Sequence, residues 1–441
     1  MNAAQGNGEA DRRMKIAIVG AGIAGNVVAH RLHHRHDITV FEAAGHAGGH
    51  SDTHGIELGG ERHEIDTGFI VFNDRTYPHF TALLAELGVA AQPSSMSFSV
   101  SSEESGLEYN GTTLNSLFAQ RRNLFRPAFY RMIADILRFN REALRLLQAP
   151  RECTLGEYLE RERYSPQFID DYLVPMGAAV WSTDPARMLE FPARFFVRFF
   201  HNHGMLTVNE RPQWHTVRGG SARYVEKLIA PFRTRIRLAT PVERIARRPD
   251  GAWVEARGSD AERFDHVFLA CHADQALRLL ADPTRAERQV LAAIPYQENE
   301  AVLHTDTSLL PRQRRAWAAW NYHVLSPRAP RAVLTYNMNI LQSLRSRETF
   351  CVTLNHSGRI DPRRVIRRLS YAHPLYTPAG VAAQARHAEL NGANRTWFCG
   401  AYWRFGFHED GVVSALEAVR DFEEKAHAQC AVPRLAPAPA L

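Results

Sequence analysis

The sequence contains very little lysine. Lys15, Lys227 and Lys425 are the only lysines among the 53 lysine and arginine residues of this 441-residue chain, so nearly every cation is an arginine. The net charge is +6 and is spread along the chain. Such a distribution does not indicate nucleic-acid binding, although it is compatible with contact to anionic lipid surfaces or anionic substrates.

Cysteine is also scarce. The five cysteines are scattered and odd in number, without the spacing of a disulfide framework or a metal site. This usage favours a reducing cytoplasm and predicts no bound metal. Residues 1–14 are polar and lack the apolar centre of a signal peptide. No apolar run approaches the ~18 residues of a membrane span, so we expect a soluble or peripheral protein.

The size and composition of the chain allow a large core. With 45% hydrophobic residues, a chain of this length predicts two or three domains. The two ends differ from the rest: residues 433–441 are rich in proline and alanine. We therefore expect residues 1–13 and 431–441 to be disordered tails.

The strongest motif begins at Gly20. A short apolar stretch from Lys15 reads as a buried strand, and the pattern Gly20-x-Gly22-x-x-Gly25 follows as a turn that opens a helix. Gly20 permits the tight turn, and Gly25 lets the helix pack closely on the strand. Gly22 lets the backbone approach a pyrophosphate at the positive end of the helix.

A second strand ends at Glu42, where the carboxylate can accept a hydrogen bond from a ribose hydroxyl. A carboxylate at this position disfavours a 2′-phosphate, which leaves NAD and FAD as ligands. Gly48 and Gly49 follow closely, and a plain NAD domain does not need this second glycine pair. The pair indicates a loop that closes over a larger cofactor.

Nucleotide-type segments occur three times along the chain. After the first, a strand with Gly68 at a point of close approach follows, and strand-like stretches recur between residues 236 and 271. A last strand at residues 396–403 leads into a helix to about residue 427, which gives a second ligand-facing helix N-terminus.

This order predicts an α/β fold with a Rossmann-type FAD-binding domain, through which an α+β substrate domain is threaded. The predicted cofactor domain consists of residues 14–90, 205–275 and 390–430. The predicted substrate domain consists of residues 91–204 and 276–389.

Residues 118–147 predict an amphipathic helix. Its apolar face contains Phe129, Ile133, Ile136, Leu137, Leu144 and Leu147, and its basic face contains Arg131, Arg138, Arg141 and Arg145. Two interpretations remain open, a solvated basic face and a face that touches anionic headgroups. Four phenylalanines between residues 195 and 200 indicate either core or the wall of an apolar pocket.

Taken in order, these motifs resemble the FAD-dependent amine oxidase and phytoene desaturase superfamily of flavin-containing oxidoreductases. The resemblance extends from end to end and implies non-covalent FAD in an amine oxidase-like fold. Gly-Gly-His at residues 48–50, the segment 175–181 and the turn 408–411 carry a narrower resemblance. They are similar to flavoproteins associated with cyclopropane fatty acid synthases, which implies lipid acyl chains as substrates.

The resemblance also implies a set of cofactor contacts. The Gly20 turn would hold the pyrophosphate, Glu42 the adenosine ribose, and the backbone of Val242 the adenine. Thr67 and its neighbours would approach the isoalloxazine, and the turn at residues 409–412 would cap the ribityl chain and the flavin edge. The complete set is Gly20, Gly22, Ile23, Ala24, Gly25, Glu42, Ala43, Gly48, Gly49, His50, Thr67, Gly68, Phe69, Val242, Gly400, Glu409, Asp410, Gly411 and Val412.

Two departures from the pattern bear on the reaction. Amine oxidases usually have an arginine after the glycine pair, where this chain has His50. Many also use a lysine of the substrate-domain sheet, bridged by water to flavin N5, yet no lysine lies between Lys227 and Lys425. The missing lysine argues against oxygen-dependent amine oxidation.

The leading hypothesis is therefore a desaturase or dehydrogenase of a fatty acyl chain, methylated or cyclopropane-type, with hydride transfer to flavin N5. Three alternatives stay open: an amine oxidase, a flavin isomerase without net redox change, and a flavin-binding accessory subunit of a lipid methyltransferase. Trp181, Tyr322 and Trp403 are candidates for the walls of an apolar substrate pocket, or ordinary aromatic core. The sequence identifies no catalytic base, and Cys399 reads as packed rather than linked to FAD.

Overall fold

The computed structural model describes residues 13–207 and 211–430, with side chains to residue 425. The tails predicted to be disordered lie outside these residues, apart from Arg13. The strands in chain order are β1 (Lys15–Val19), β2 (Asp37–Phe41), β3 (Thr53–Leu58), β4 (Glu61–Asp66), β5 (Phe72–Asn73), β6 (Ala91–Ser94), β7 (Phe98–Ser102), β8 (Glu108–Asn110), β9 (Trp214–Val217), β10 (Ile236–Arg237), β11 (Val242–Arg248), β12 (Gly251–Ala256), β13 (Glu262–Phe264), β14 (His266–Leu269), β15 (Tyr296–His304), β16 (Trp320–Val324), β17 (Leu334–Asn337), β18 (Cys351–Leu354), β19 (Val365–Pro374) and β20 (Thr396–Phe398).

The helices are more numerous in the middle of the chain than at its ends. In chain order they are α1 (Ile23–Leu32), α2 (Pro78–Glu86), α3 (Leu114–Leu117), α4 (Pro127–Glu142), α5 (Leu155–Arg161), α6 (Pro166–Phe168), α7 (Val174–Trp181), α8 (Pro185–Met188), α9 (Ala193–Asn202), α10 (Ala222–Ile229), α11 (Ala273–Leu279), α12 (Arg285–Ala292), α13 (Met338–Leu341), α14 (Pro378–Gln384), α15 (His387–Leu390) and α16 (His408–Cys430).

The chain divides into two compact units. Unit 1 contains the described residues of Met1–Gly49, Val225–Ala292 and Gln384–Leu441, and unit 2 contains those of His50–Tyr224 and Ala293–Ala383. Both units are therefore built from separated segments, as the sequence predicts. The described residues of 50–90 and 205–224, predicted within the cofactor domain, lie in unit 2, and residues 276–292 and 384–389, predicted within the substrate domain, lie in unit 1. Which segments contact cofactor or substrate stays a prediction.

Unit 1 is organised by a parallel sheet. Its five strands follow the order β10-β2-β1-β14-β20, and every neighbouring pair is parallel. The central strand β1 is apolar after Lys15, and Ile16, Ala17 and Ile18 have no solvent exposure. A strand covered on both faces needs such a continuous apolar run, because helices pack on either side of a parallel sheet. The predicted Rossmann-type α/β fold is confirmed.

Unit 2 contains a larger, mixed sheet. Its seven strands follow the order β19-β15-β18-β17-β16-β7-β8, and only the pair of β7 with β16 is parallel. The hairpin β3–β4 and the three-stranded sheet β5-β9-β6 complete the strands of this unit. The region that the sequence predicts as a single strand around Gly68 is divided between β4 and β5, which belong to different sheets.

The predicted amphipathic helix at residues 118–147 is α4 together with two flanking 3₁₀ turns, Arg121–Phe125 and Ala143–Gln148. Phe129, Met132 and Phe139 form its buried face, whereas Leu137 is 53% exposed. Leu137 lies inside α4, about 80° around the helix axis from Phe129 and on the side away from Met132 and Phe139, so it falls outside the buried face. After residue 142 three residues rather than 3.6 complete a turn, and Ala143 and Leu146 are buried there instead of the predicted Leu144 and Leu147.

Among the described residues, no helix is both long enough and apolar enough to cross a membrane.

A buried carboxylate joins two parts of unit 2. Asp66 ends strand β4, and its Oδ1 accepts hydrogen bonds from the backbone N–H and the hydroxyl of Ser221, both at 2.8 Å. The hydroxyl of Thr53 donates to the same oxygen at 2.6 Å. Gly220 precedes Ser221 with φ +90°, and a Cβ there would lie 2.4 Å from Thr53 Cγ2. The Gly-Gly-Ser turn therefore packs directly against the β3–β4 hairpin.

Burial raises the pKa of Asp66 to about 6 despite these donors. Because the folded-state pKa exceeds the ordinary value of 3.8, the folded chain holds this proton more tightly than the unfolded chain. We expect Asp66 to make the free energy of unfolding fall as pH rises from 4 to 7. Relative to Asp66→Asn, the wild type should lose about 2 kcal/mol over this range.

Chemical denaturation at pH 4, 5.5 and 7 checks this expectation. The exposed Asp260→Asn is the control, since its curve should run parallel to that of the wild type. Parallel curves for Asp66→Asn and the wild type would contradict the assignment.

A buried ion pair connects strand β11 to helix α12 in unit 1. The guanidinium of Arg247 on β11 pairs with Glu287 on α12, and the two side chains are 2% and 1% exposed. Arg247 also contacts Asp282 at 3.1 Å. Glu287 completes the N-terminus of α12 by accepting from the backbone N–H of Thr284 at 2.7 Å.

We expect Arg247→Met to lower the free energy of unfolding by about 3–5 kcal/mol, because it leaves the Glu287 carboxylate buried without its cation. The matched control is Arg257→Met, which removes an ion pair with Glu243 whose partners are 72% and 48% exposed. The control should cost about 0–1 kcal/mol. Thermal unfolding of the two variants measures the difference, and equal losses would refute the role of burial.

Candidate functional site

The candidate site in unit 1 includes the glycine turn between β1 and α1. Gly20 has φ +103°, and its N–H donates to the carbonyl of Phe41 at 2.8 Å. A Cβ on Gly25 would lie 1.9 Å from the carbonyl oxygen of Gly20, so no side chain fits there. A Cβ on Gly22 would meet no atom within 4 Å. The three glycines thus serve the three purposes that the spacing predicts: a turn, open space, and close packing.

The N-terminus of α1 is prepared for an anion. Gly22 is the N-cap, no side chain caps the helix, and its first turn contains no acidic residue. The first backbone N–H groups of a helix lack partners within the helix and carry partial positive charge. Together with the open space at Gly22, these donors fit a pyrophosphate.

Glu42 lies at the mouth of this turn. Its Oε2 accepts from the N–H of Ala21 at 2.7 Å, and its Oε1 accepts from the N–H of Ala44 at 2.8 Å. These two bonds fix the carboxylate, and each oxygen retains a lone pair for a hydroxyl group. The carbonyl of Glu42 accepts from the N–H of Thr240 at 2.8 Å, so the chain leading to Val242 runs beside the carboxylate. The arrangement fits an adenosine.

The second glycine pair meets the first turn. Gly48 donates its N–H to the carbonyl of Ala21 at 2.8 Å. Gly49 has φ +59°, and a Cβ there would lie 3.0 Å from the Cα of Gly22. The loop predicted to close over a cofactor is therefore held against the glycine turn by its backbone.

The start of α16 reaches the same region of unit 1. A Cβ on Gly411 would lie 2.8 Å from Cγ2 of Ile23, which is the first residue of α1. Two helix N-termini are therefore adjacent, and each presents partial positive charge. Asp410 accepts from the N–H of Phe407 at 2.9 Å, and burial raises its pKa to about 7. Glu409 and Val412, also predicted at the cofactor, are buried beside it.

Gly400 and Trp403 follow the last strand, β20. The N–H of Gly400 donates to the hydroxyl of Ser414 at 2.9 Å, which ties this turn to α16. Trp403 lies on a 3₁₀ turn rather than on the predicted strand, because the strand ends at Phe398. Its ring stacks on His387 at 4.0 Å. Its indole N–H is buried and has no hydrogen-bond partner among the described residues, so this donor is available to a bound group.

Unit 2 contains His50, predicted along the pyrophosphate and ribityl chain, and the predicted flavin-facing residues Thr67, Gly68 and Phe69. The carbonyl of His50 accepts from the N–H of Phe69 at 2.6 Å. A Cβ on Gly68 would lie 2.2 Å from this carbonyl oxygen, which explains glycine at a position without positive φ. The ring of Phe69 packs edge-on against Phe80 at 5.2 Å. His50 and the Thr67–Phe69 turn are thus brought together.

Residues that the sequence did not single out join this group. The hydroxyl of Tyr371 donates to Asp52 at 2.9 Å and shares a hydrogen bond of 2.7 Å with the hydroxyl of Thr67. The ring of His50 lies 5.3 Å from that of Tyr371 and 5.5 Å from that of His373. Burial raises the pKa of Tyr371 above its usual range, so the phenol keeps its proton at neutral pH. Alternation along β19 was the available signal, since residues 371 and 373 point to the same face.

The two substrate-wall candidates of unit 2 lie in different packed clusters. Trp181 contacts the phenylalanines around α9, with ring centroids 4.8 Å from Phe199 and 6.4 Å from Tyr376. Tyr322 is 3% exposed and packs in a cluster with Met132 and Ala178. Both residues are therefore part of the hydrophobic core of unit 2, and their contact with a substrate stays a prediction.

The described cysteines of unit 1 are not activated as nucleophiles. Cys399 is buried, and burial raises its pKa above the usual range. Burial also raises the pKa of Cys271 to about 12. Both groups are therefore neutral thiols at physiological pH, which are poor nucleophiles.

Comparisons with solved structures show the fold of the whole chain. A cyclohexylamine oxidase from Brevibacterium oxydans IH-35A has a TM-score of 0.69 at 15% identity, covering 94% of this chain and 100% of that chain. A putrescine oxidase bound to putrescine has a TM-score of 0.65 at 15% identity, covering 93% and 99%. A CLA-producing fatty acid isomerase from P. acnes has a TM-score of 0.58 at 15% identity, covering 93% and 98%. At these identities the likeness establishes a common fold.

Sequence comparison identifies the family. No curated protein matches the chain in sequence. The family model of flavin containing amine oxidoreductases, however, matches residues 23–329, which is more than half of the chain. The match includes the first helix after the glycine turn, the acid at residue 42 and most of both units. FAD is the cofactor of such proteins, and the glycine turn, the two helix N-termini and Glu42 fit it. The chain is a FAD-dependent oxidoreductase that belongs to the flavin-containing amine oxidoreductase family.

Proposed function

We propose that this oxidoreductase acts on a fatty acyl chain, methylated or cyclopropane-type, as a desaturase or dehydrogenase. The observation that carries the proposal is the distribution of lysine. All three lysines of the chain lie in unit 1, so unit 2, which holds the large mixed sheet, has none. The lysine that many amine oxidases place in this sheet beside the flavin has no counterpart. An acyl chain offers no amine, and its recognition needs apolar contacts instead.

The cofactor contacts are part of the proposal. FAD, when bound, supplies an acceptor for a hydride, which carries two electrons and a proton. Gly20, Gly22 and Gly25 would leave room for the pyrophosphate, and Glu42 would bind the ribose. The paired N-termini of α1 and α16 would stabilise negative charge. The unpartnered indole N–H of Trp403 supports a polar ligand atom in unit 1. FAD would be held without a covalent bond, since the buried Cys399 is a neutral thiol.

In unit 2, the group around Tyr371 would orient the flavin-facing turn. The phenol, kept protonated by burial, donates to Asp52 and holds the hydroxyl of Thr67. His50, with its ring near Tyr371 and His373, would line the same group. Trp181 and its phenylalanine neighbours would supply apolar wall for an acyl chain. A fatty acid isomerase with the same fold supports acyl chains as a substrate class that this architecture accommodates.

Amine oxidation is the second candidate. The family description and the structural likeness to cyclohexylamine oxidase and putrescine oxidase favour it. It would require the water and proton chemistry at the flavin to proceed without a lysine from unit 2. Isomerisation without net redox change, and service as a flavin-binding partner of a lipid methyltransferase, are the remaining alternatives.

Adding one methyl group at Gly22 tests the predicted contact between the glycine turn and FAD. We expect Gly22→Ala to weaken FAD binding at least tenfold, about 1.4 kcal/mol, because its Cβ enters the space assigned to the pyrophosphate. The chain itself should fold, since Gly22 has φ −75° and the Cβ meets no protein atom within 4 Å. Titration of the flavin-stripped chain with FAD measures the dissociation constant.

The control for this substitution is Gly358→Ala, because an exposed glycine with open space around its Cβ should leave FAD affinity unchanged. Thermal unfolding of the stripped chains should show less than about 1 kcal/mol of loss for Gly22→Ala. An unchanged dissociation constant would contradict the assignment of the pyrophosphate to this turn.

The substrate class is tested by anaerobic reduction. We expect lipid extracts with methylated or cyclopropane acyl chains to bleach the flavin absorbance near ~450 nm, because their oxidation delivers two electrons to FAD. Matched extracts without these modifications, and a panel of amines, are the controls. Bleaching by amines alone would overturn the acyl proposal in favour of amine oxidation. Bleaching by none of them would leave the isomerase and the accessory-subunit alternatives.

A further inference from the structure

Unit 2 carries an exposed surface that combines apolar and basic side chains. It lies on α3, the 3₁₀ turn Arg121–Phe125 and the start of α4. Phe125 is 87% exposed and Leu114 is 77% exposed, and no other large apolar side chain among the described residues is as exposed. We call this the arginine–phenylalanine surface; its members are Leu114, Arg121, Arg122, Leu124, Phe125, Arg126, Tyr130 and Arg131.

The surface is built by specific contacts rather than left as a loose loop. The hydroxyl of Tyr130 donates to the carbonyl of Leu124 at 3.1 Å. Arg121 donates to the carbonyl of Phe118 at 2.9 Å and to the side chain of Asn115 at 2.6 Å. These bonds connect both helices to the turn between them. The exposed side chains are therefore held outward by a defined backbone.

The charge of the surface has one sign. Residues 111–134 contain four arginines and no aspartate or glutamate. None of the four guanidinium groups forms an ion pair with a described residue; Arg122 and Arg126 instead donate to the carbonyls of Gly106 and Ser105. The next arginine along α4 differs, because Arg138 pairs with Asp135 at 3.2 Å and lies over the ring of Tyr164. Within α4, Arg138 and Arg141 are thus paired with acids, and the arginine without an ion pair to a described residue is Arg131 on the apolar surface.

We propose that the arginine–phenylalanine surface docks the protein on anionic phospholipid bilayers, with Phe125 and Leu114 inserted at the boundary between headgroups and acyl chains. Apolar side chains flanked by arginines match the two layers of a bilayer surface, since the ring and the leucine leave water while the guanidinium groups meet phosphates. A nucleic acid would use the arginines but not the leucines, and an acidic protein is the competing partner that the test separates.

This inference goes beyond the proposed function, because docking does not require turnover. Each arginine near an anionic surface strengthens binding about fivefold, and this contribution falls with salt. We therefore expect the FAD-loaded full chain to bind vesicles of phosphatidylcholine with phosphatidylglycerol much more tightly than vesicles of phosphatidylcholine alone.

Vesicle co-sedimentation tests the proposal. The double variant Phe125→Ser with Leu114→Ser should weaken binding at least tenfold, and Arg131→Gln should weaken it and flatten its salt dependence. The matched controls are Leu238→Ser, 43% exposed in unit 1, and Arg187→Gln, exposed on α8, and both should bind as the wild type does. All these side chains are exposed, so FAD content and thermal unfolding should not change.

The insertion of residue 125 into the bilayer can be measured separately from vesicle binding. In Phe125→Trp, brominated lipids should quench the additional tryptophan fluorescence above the background of the seven native tryptophans. Absence of vesicle binding, or binding that the surface variants do not weaken, would overturn the proposal. Binding through charge alone, without quenching at residue 125, would overturn the insertion of Phe125. If docking fails while dispersed acyl lipid still bleaches the flavin, the proposed function stands without it.

Discussion

The structure of unit 1 depends on a backbone approach that no side chain permits. Helix α1 begins so close to the end of β1 that a single Cβ at Gly25 would lie 1.9 Å from the carbonyl of Gly20. This proximity directs the first N–H groups of the helix into the open space at Gly22. Gly49 and Gly411 are under a similar constraint, since a Cβ on Gly49 would lie 3.0 Å from the backbone of Gly22 and a Cβ on Gly411 would lie 2.8 Å from the side chain of Ile23. Partial positive charge is concentrated there because two helix N-termini meet.

In unit 2, a buried carboxylate holds separated segments of the chain together. Asp66 accepts three hydrogen bonds at one oxygen, from the backbone and hydroxyl of Ser221 and from Thr53. The carboxylate thereby connects the β3–β4 hairpin to a turn that lies 155 residues away in sequence. Burial opposes its ionisation, and the raised pKa measures how far the donors fall short of hydration. Glycine is required at position 220 because Thr53 occupies the space of its side chain.

The preference for arginine has a physical consequence throughout the chain. A guanidinium group has five donors in a fixed plane, so it can bond backbone carbonyls and carboxylates at once. Arg247 does so in a nearly closed environment, where it contacts Glu287, Asp282 and the carbonyl of residue 282. On the arginine–phenylalanine surface, the same geometry leaves charge uncompensated, because Arg122 and Arg126 reach carbonyls instead of carboxylates.

The amino-acid sequence by itself determined the parallel sheet, the glycine turn and the acid after β2. These features depend on local spacing, which a strand, a tight turn and a helix impose within about thirty residues. These motifs left NAD and FAD as ligands, and the second glycine pair together with the family resemblance then indicated FAD. The tertiary structure decided what distant segments contribute, including the group of Tyr371, His373 and Asp52 around Thr67. Only the fold brings β19 next to residues about 300 positions earlier in the chain. The alternating pattern of β19 predicts which side chains share a face, but it does not predict which segment packs against that face. The exposure of Phe125 was also decided by the tertiary structure. From the sequence alone, a phenylalanine among arginines fits a core position equally well until the packing around the turn is known.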